Sequence, residues 1–345
     1  MTDQAQLELH RKRIIALWLF GVAFMVFIMV VLGGFTRLTH SGLSMVEWHP
    51  ITGWLPPLND EEWMQIFKKY QSFPEFQEVN SYMTVSEFKG IFWLEFLHRL
   101  WGRVIGVAFF FPFLYFIIKG WVRGAQISAL LVLLVLGGLQ GGMGWFMVKS
   151  GLVDRPDVSQ YRLAAHLLLA LIIYASLLWF GLNYWGAQQS TIAKLLKLRR
   201  FSVIFVALVF VTAFSGALVA GLDAGLSYNT FPLMDGHLIP DGLFEKAPFY
   251  LNFFENVITV QFDHRVLAVL TFCGALYFWF RAKKHATPEF YILPINCLFA
   301  AVCGQVILGV LTLLLVVPVS LGALHQAGAL VVLGTAIWTI HFLKN

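Results

Sequence analysis

The sequence predicts an all-α polytopic membrane protein, eight transmembrane helices built as two parallel four-helix repeats. Three observations carry this expectation. Of the 345 residues, 59% are hydrophobic and 12% charged, too little polar surface to cover a water-soluble globule of that length. Stretches of about 20 mostly apolar residues, the length that crosses hydrocarbon, begin near Ile14, Ile91, Ile127, Arg162, Phe201, Val257, Ile292 and Leu321. Finally, a set of short motifs occurs twice in the same order, once in each half.

Charge placement agrees with eight spans. One side then carries Arg11, Lys12, Arg13, Lys119, Arg123, Lys194, Lys197, Arg199, Arg200, Arg281, Lys283, Lys284 and Lys344 against only Asp3, Glu8 and Glu289. Short loops rich in Lys and Arg stay in the cytoplasm, so both termini are expected there. The net charge of +5 reads as topology signals near lipid headgroups, not as a nucleic-acid surface. The first span follows Arg11-Lys12-Arg13 and runs into Gly33-Gly34-Phe35-Thr36-Arg37 with no small-residue cleavage site, which predicts a retained helix. With no Arg- and Ser-rich targeting extension, a bacterial inner (plasma) membrane is expected. Cys273, Cys297 and Cys303 fall in or beside spans, with no CxxC or CxxCH, so covalent heme attachment and an outer-loop disulfide are not indicated. They read as buried structural thiols.

The first outer loop, about residues 34–90, is the longest polar piece and reads as a cap on the membrane surface. Within it, Asn59 to Phe67 predicts a short helix: an N-cap residue, acids in the first turn and apolar residues spaced for one buried face. The second outer loop, residues 221–256, contains Asn229-Thr230-Phe231-Pro232-Leu233-Met234. Both loops occupy matching places in the repeat. Ser41-Gly42-Leu43-Ser44 answers Ala224-Gly225-Leu226-Ser227, Phe96-Leu97-His98-Arg99 answers Phe262-Asp263-His264-Arg265, and Ala165-His166-Leu167 answers Leu324-His325-Gln326. Four spans per unit is an even number, so the halves, residues 1–190 and 191–345, enter from the same side and are related by an axis along the membrane normal. The basic stretch Gln188 to Arg200 joins them. The glycine-rich run Gly137 to Gly144 lies inside the third span with no strand before it, and reads as close helix packing, not a phosphate loop. Pro112 and Pro294 read as kinks.

Topology separates the ten histidines. His10, His285 and His341 fall on the cytoplasmic side, and His40, His49 and His237 in outer loops. The remaining four, His98, His166, His264 and His325, begin the second, fourth, sixth and eighth spans at one depth near the outer face. A single histidine there is usually a satisfied interfacial residue. Four in register point to metal ligation, because ionisable groups in a membrane are costly and tend to be functional. Zinc would want four clustered ligands, and no Cys or HxxxH accompanies these. Heme iron asks for one neutral imidazole on each face, from two helices far apart in sequence. Gly102, Ala170, Ala268 and Ala329, four residues inward, leave room for a flat ring edge on the same helical face. Arg99, Arg162 and Arg265 are candidate propionate contacts, with lipid phosphate an equal alternative.

The halves differ at one informative position. Glu95 lies three residues before His98 on the same helical face, where the second half has Gln261 before His264. A carboxylate beside a bound substrate can accept a proton or stabilise developing positive charge, which a neutral amide does poorly. The first half is therefore expected to be reactive and the second an electron store. The simpler alternative is that Glu95 pairs with Arg99 or Arg103.

On these residues the sequence resembles the heme A synthase family, over nearly all eight spans. The signatures are Gly33-Gly34-Phe35-Thr36-Arg37-Leu38-Thr39 with Ser41-Gly42-Leu43-Ser44, Glu95-Phe96-Leu97-His98-Arg99, Asn229-Thr230-Phe231-Pro232-Leu233-Met234, Asp263-His264-Arg265 and Leu324-His325-Gln326. The long first outer loop without cysteines is similar to the proteobacterial and mitochondrial branch. The resemblance implies that a ring methyl of heme O, the substrate, is oxidised to a formyl group by successive hydroxylations, the second giving a diol that loses water. It implies that His98 and His166 address heme O, that His264 and His325 hold a permanent heme b, and that Glu95 is the catalytic carboxylate. A place in cytochrome oxidase assembly, a heme O synthase as supplier and an external electron acceptor follow, since no flavin or nicotinamide motif is present. A homo-oligomer is compatible with this reading. Two rivals stand beside it: a diheme membrane cytochrome linked to quinol, and a heme-handling or transport protein.

Overall fold

The computed structural model describes residues 3–49, 52–151, 158–186, 198–284 and 292–344. Nine principal helices order them: α1 (Asp3–Leu38), α2 (Asp60–Tyr70), α3 (Val85–Ile118), α4 (Ala125–Gly151), α5 (Gln160–Trp185), α6 (Arg199–Gly221), α7 (Val257–Lys283), α8 (Leu293–Leu314) and α9 (Val319–Phe342). All but α2 are long and apolar enough to cross a membrane, so the protein is a multi-pass membrane protein with eight spans. No strand is present among the described residues. Most of the joining stretch Gln188 to Arg200, together with His285, lies outside those residues.

Six spans begin within about two residues of the hydropathy estimate, and two run further. At 36 residues α1 reaches about 54 Å, and α3, at 34 residues, about 51 Å, against a hydrocarbon core of about 30 Å. The surplus of α1 precedes Ile14. That of α3 precedes Ile91 and begins at a capping box: Thr84 Oγ1 accepts from Glu87 N, and the Glu87 carboxylate accepts from Thr84 N at 2.8 Å. The N-terminal turns of α3 carry Phe88, Phe92 and Phe96, all buried, against which α2 lays Trp63, Phe67 and Tyr70. Trp63 meets Phe92 edge-on at 5.0 Å or less between centroids (4.9 Å), and Tyr70 stacks on Phe88 at 5.0 Å. As the sequence predicts, Asn59 caps α2, its Oδ1 accepting from Glu62 N at 2.9 Å. Burial pushes the Tyr70 hydroxyl above the ordinary tyrosine range, and it accepts from Asn80 Nδ2 at 2.8 Å.

The spans close into two rings of neighbours. In the first, α1 touches α3 and α5, and α4 touches both α3 and α5; in the second, α6 touches α7 and α9, and α8 touches both α7 and α9. Between the rings α1 packs on α9, α6 on α5, and α5 on α9. Indole donors tie helices together within each ring, Trp18 Nε1 to Ala108 O at 2.8 Å and Trp279 Nε1 to Asn296 Oδ1 at 2.9 Å. At the outer rim Arg37 links the ends of α1 and α6, donating to Ala220 O and the Asp223 carboxylate at 3.1 Å.

Three expectations change. Pro294 falls in the first turn of α8, where a missing N–H costs nothing, so it starts a helix instead of kinking one; Pro112 does lie inside α3. In the glycine-rich run, a Cβ on Gly137, Gly138, Gly141 or Gly142 would meet nothing within 4 Å, because that face of α4 points away from its neighbours. Only Gly144 has a packing reason. Nor are the thiols buried: Cys273 is exposed and Cys297 and Cys303 are half-buried.

Candidate functional site

Each of the four histidines stands on an even-numbered span and is faced by a glycine of the span before it. A Cβ built on Gly33 of α1 would lie 3.5 Å from His98 Nε2, on Gly144 of α4 3.1 Å from His166 Cε1, on Gly216 of α6 3.0 Å from His264 Cε1, and on Gly309 of α8 2.9 Å from His325 Cε1. The last is closer than a Cβ tolerates, the second and third are tight enough that the ring would have to give, and the first is an ordinary contact. Helix-to-helix approach at Gly144, Gly216 and Gly309 therefore favours glycine, for steric room and not for φ. Gln140 and Gln305, one turn before the second and fourth glycines, donate from Nε2 to the backbone carbonyls of His166 at 3.0 Å and His325 at 2.9 Å. Sequence reasoning missed both glutamines and all four glycines as site residues. The signal was present: Gln140-Gly141-Gly142-Met143-Gly144 and Gln305-Val306-Ile307-Leu308-Gly309 share a Gln-x-x-x-Gly spacing at matching places of the two halves.

Two of the histidines meet ring to ring. The His264 and His325 rings, from α7 and α9, stand 6.4 Å apart between centroids and nearly perpendicular at 87°. Two metal–imidazole bonds of about 2 Å, each ring centre lying roughly 1.1 Å beyond its nitrogen, would separate the centroids by about 6 Å. His98 of α3 has the His166 ring of α5 as its electrostatic neighbour. No group of three or more His, Cys, Asp or Glu side chains comes together among the described residues. Two imidazoles suit a metal whose other positions a macrocycle fills. Buried polar atoms without partners cluster here too, among them His325 Nδ1, Gln140 Oε1 and Gln305 Oε1. The donor set, the spacing and the glycine clearances fit heme.

Glu95 is only 2% exposed, and its carboxylate is fully engaged. It accepts from Ser44 Oγ and Met45 N, both at 2.7 Å, and pairs with the Arg99 guanidinium. Arg99 in turn donates to Met45 O at 2.7 Å and Glu47 O at 2.8 Å. Glu95 and Arg99 thus clamp the Ser41–Glu47 segment onto α3. The second half builds the same clamp with opposite polarity. Gln261 Nε2 donates to Ala224 O at 2.9 Å and Tyr228 O at 3.2 Å, while Arg265 donates to Tyr228 O and Thr230 O, both at 2.8 Å. Arg162 donates to Phe146 O at 3.1 Å and lies over the Phe146 ring at 4.0 Å. All three arginines that the sequence offers as propionate contacts therefore have protein partners already.

The chain matches, over residues 16–337, the family described as cytochrome oxidase assembly protein. It belongs to that family. Among its relatives, the heme A synthase of Nitrosospira multiformis is 51% identical over 96% of this chain and 94% of its own length. The heme A synthase of Parvibaculum lavamentivorans is 49% identical over the same shares, and heme A synthase COX15 of Bos taurus is 45% identical over 97% of this chain and 83% of its own. Family membership spans both rings of helices and all four histidine-bearing spans.

Proposed function

We propose that this protein is a heme A synthase, a membrane oxidoreductase that converts heme O to heme A by oxidising a ring methyl to a formyl group. The observation that carries the reading is similarity of 45–51% to proteins of that name along nearly the whole chain. The relatives' names favour neither a quinol-linked diheme cytochrome nor a heme carrier. In this reading His98 and His166 bind heme O, and His264 and His325 hold a resident heme b. The 6.4 Å ring separation supports the second assignment. Bound heme b supplies one-electron redox chemistry. The two four-helix units belong to the same proposal, with a pseudo-twofold axis along the membrane normal, and the matching neighbours within each ring support it.

The chain's own residues divide the work. Imidazoles of the first pair orient the substrate ring, and Gly144 keeps α4 close enough to α5 to hold one of them. Glu95, one turn from His98, is the group assigned to the reaction; its Ser44, Met45 and Arg99 partners fix where its charge lies. The α2 cap and its aromatic seat on α3 limit water at the outer mouth of this site. Heme O comes from a heme O synthase, electrons leave to an external acceptor, and the membrane is a bacterial inner membrane with both termini in the cytoplasm, as the Lys/Arg bias supports. Expression with a heme O supply followed by heme extraction tests the reading: formyl heme is the expected product. Recovery of heme O and heme b alone under competent conditions would overturn it.

A further inference from the structure

We propose that Ser215 is a positioning residue that fixes His264 as an Nε2 ligand, and that Leu32 at the matching place of the first half leaves His98 without that restraint. One site then retains its heme and the other exchanges it. The inference rests on the reading that His264 and His325 hold resident heme and His98 and His166 substrate heme.

Ser215 Oγ donates to Thr212 O at 2.8 Å and also lies 2.8 Å from His264 Nδ1. A hydroxyl has a single hydrogen; when it goes to Thr212 O, Ser215 is the acceptor towards the ring and Nδ1 carries the proton, the arrangement on which the proposal is built. In a neutral imidazole that leaves the lone pair on Nε2, the atom free to bind metal. The turn that presents Ser215 is itself held, since Thr212 Oγ1 donates to Leu208 O at 2.9 Å and lies 2.9 Å from Thr271 Oγ1 on α7. Gly216 backs the same ring, so both its rotation and its tautomer are set. A metal-bound histidine whose other nitrogen donates a hydrogen bond is a more basic and better-oriented ligand.

The first half lacks this device. Gly33 and Gly216 each face the histidine of the following span, which sets the register between α1 and α6. The residue before Gly216 is Ser215; the one before Gly33 is Leu32, which offers no side-chain acceptor. The rings are also turned differently: Nε2 is the His98 atom nearest the glycine, whereas Cε1 is nearest in His264. An imidazole without that side-chain acceptor suits a site whose substrate and product must both leave.

The test uses full-length, heme-loaded protein in detergent. Heme b loss to excess apomyoglobin, the midpoint potential and the ferric low-spin spectrum are measured for Ser215→Ala, Ser215→Thr and Leu32→Ser, with His264→Ala alongside. Ser215→Ala is expected to lose heme b about 10-fold faster or more, with a raised midpoint potential, because a less basic imidazole stabilises ferric iron less. Ser215→Thr, which keeps the hydroxyl, is expected to behave as the parent protein, and Leu32→Ser to slow release from the first site. Should Ser215→Ala fail to fold, Ser215→Cys, a poorer acceptor of similar size, replaces it with the same expectation. Parent-like loss rate and potential in the variant lacking the hydroxyl overturn the inference if His264→Ala has lost heme b. If His264→Ala keeps its heme b, the underlying assignment of the halves fails instead.

Discussion

The two histidine sites share a frame and differ in what surrounds it. Both present two imidazoles from even-numbered spans, glycines opposite each ring, and an outer-loop segment clamped to the histidine helix by the residue three before the histidine and the arginine after it. In the first half the clamp contains a carboxylate and the glycine is preceded by leucine. In the second it contains an amide, and the glycine is preceded by a serine bonded to the ring. In the proposed reading, a shared scaffold with exchanged polar groups lets one helical unit serve reaction in one place and storage in the other.

The largest effect expected is from the ligands. His264→Ala or His325→Ala should remove most heme b from the purified protein, while His98→Ala should keep it and abolish formyl heme; pyridine hemochrome spectra of the extracts decide, and the reverse pattern would mean the halves are exchanged. Swapping the clamps comes next. Gln261→Glu sets a carboxylate against the Ala224 and Tyr228 carbonyls and should lower stability by about 3 kcal/mol, read as a fall in thermal midpoint. Glu95→Gln keeps an acceptor for Ser44 and Met45 and should cost about 1–2 kcal/mol while removing most turnover. Unchanged turnover would reduce Glu95 to its clamp.

Smaller effects grade the glycines. Alanine at 309, 216 and 144 should lower heme content in that order, following clearances of 2.9, 3.0 and 3.1 Å, and Gly33→Ala, at 3.5 Å, should be nearly silent. Smallest is the loop anchor. A hydrogen bond from Lys69 at 2.7 Å holds the Glu47 carboxyl below the usual carboxylate range. A depressed pKa stabilises the folded loop above the unfolded value and is lost as pH falls through the folded one. Because Glu47 is half exposed, only a slight rise in amide exchange of α2 is expected on acidification, and Glu47→Gln should remove that pH dependence.

Much of this was legible without coordinates. Hydropathy and short-loop charge determine eight spans, because a membrane leaves the backbone few other solutions and apolar length is read directly from composition. The cap helix was legible from Asn59 and its acids. The four histidines were legible because a costly residue recurring at one depth stands out against an apolar background. Glycine and glutamine do not stand out in this way. Gly144 sits in a run whose other members face no neighbour, and nothing local distinguishes it until α5 lies against α4.

What the sequence alone determined was the inventory: the number of spans, four candidate ligands and one carboxylate without a counterpart. Tertiary structure decided what each group touches. It engaged Glu95 with Ser44, Met45 and Arg99, gave the guanidinium groups of Arg99 and Arg265 to loop carbonyls, and set Ser215 against His264. Periodicity and hydropathy are properties of one segment in its solvent. A hydrogen bond between residues 49 positions apart depends on which helices become neighbours, and on which faces they turn to each other.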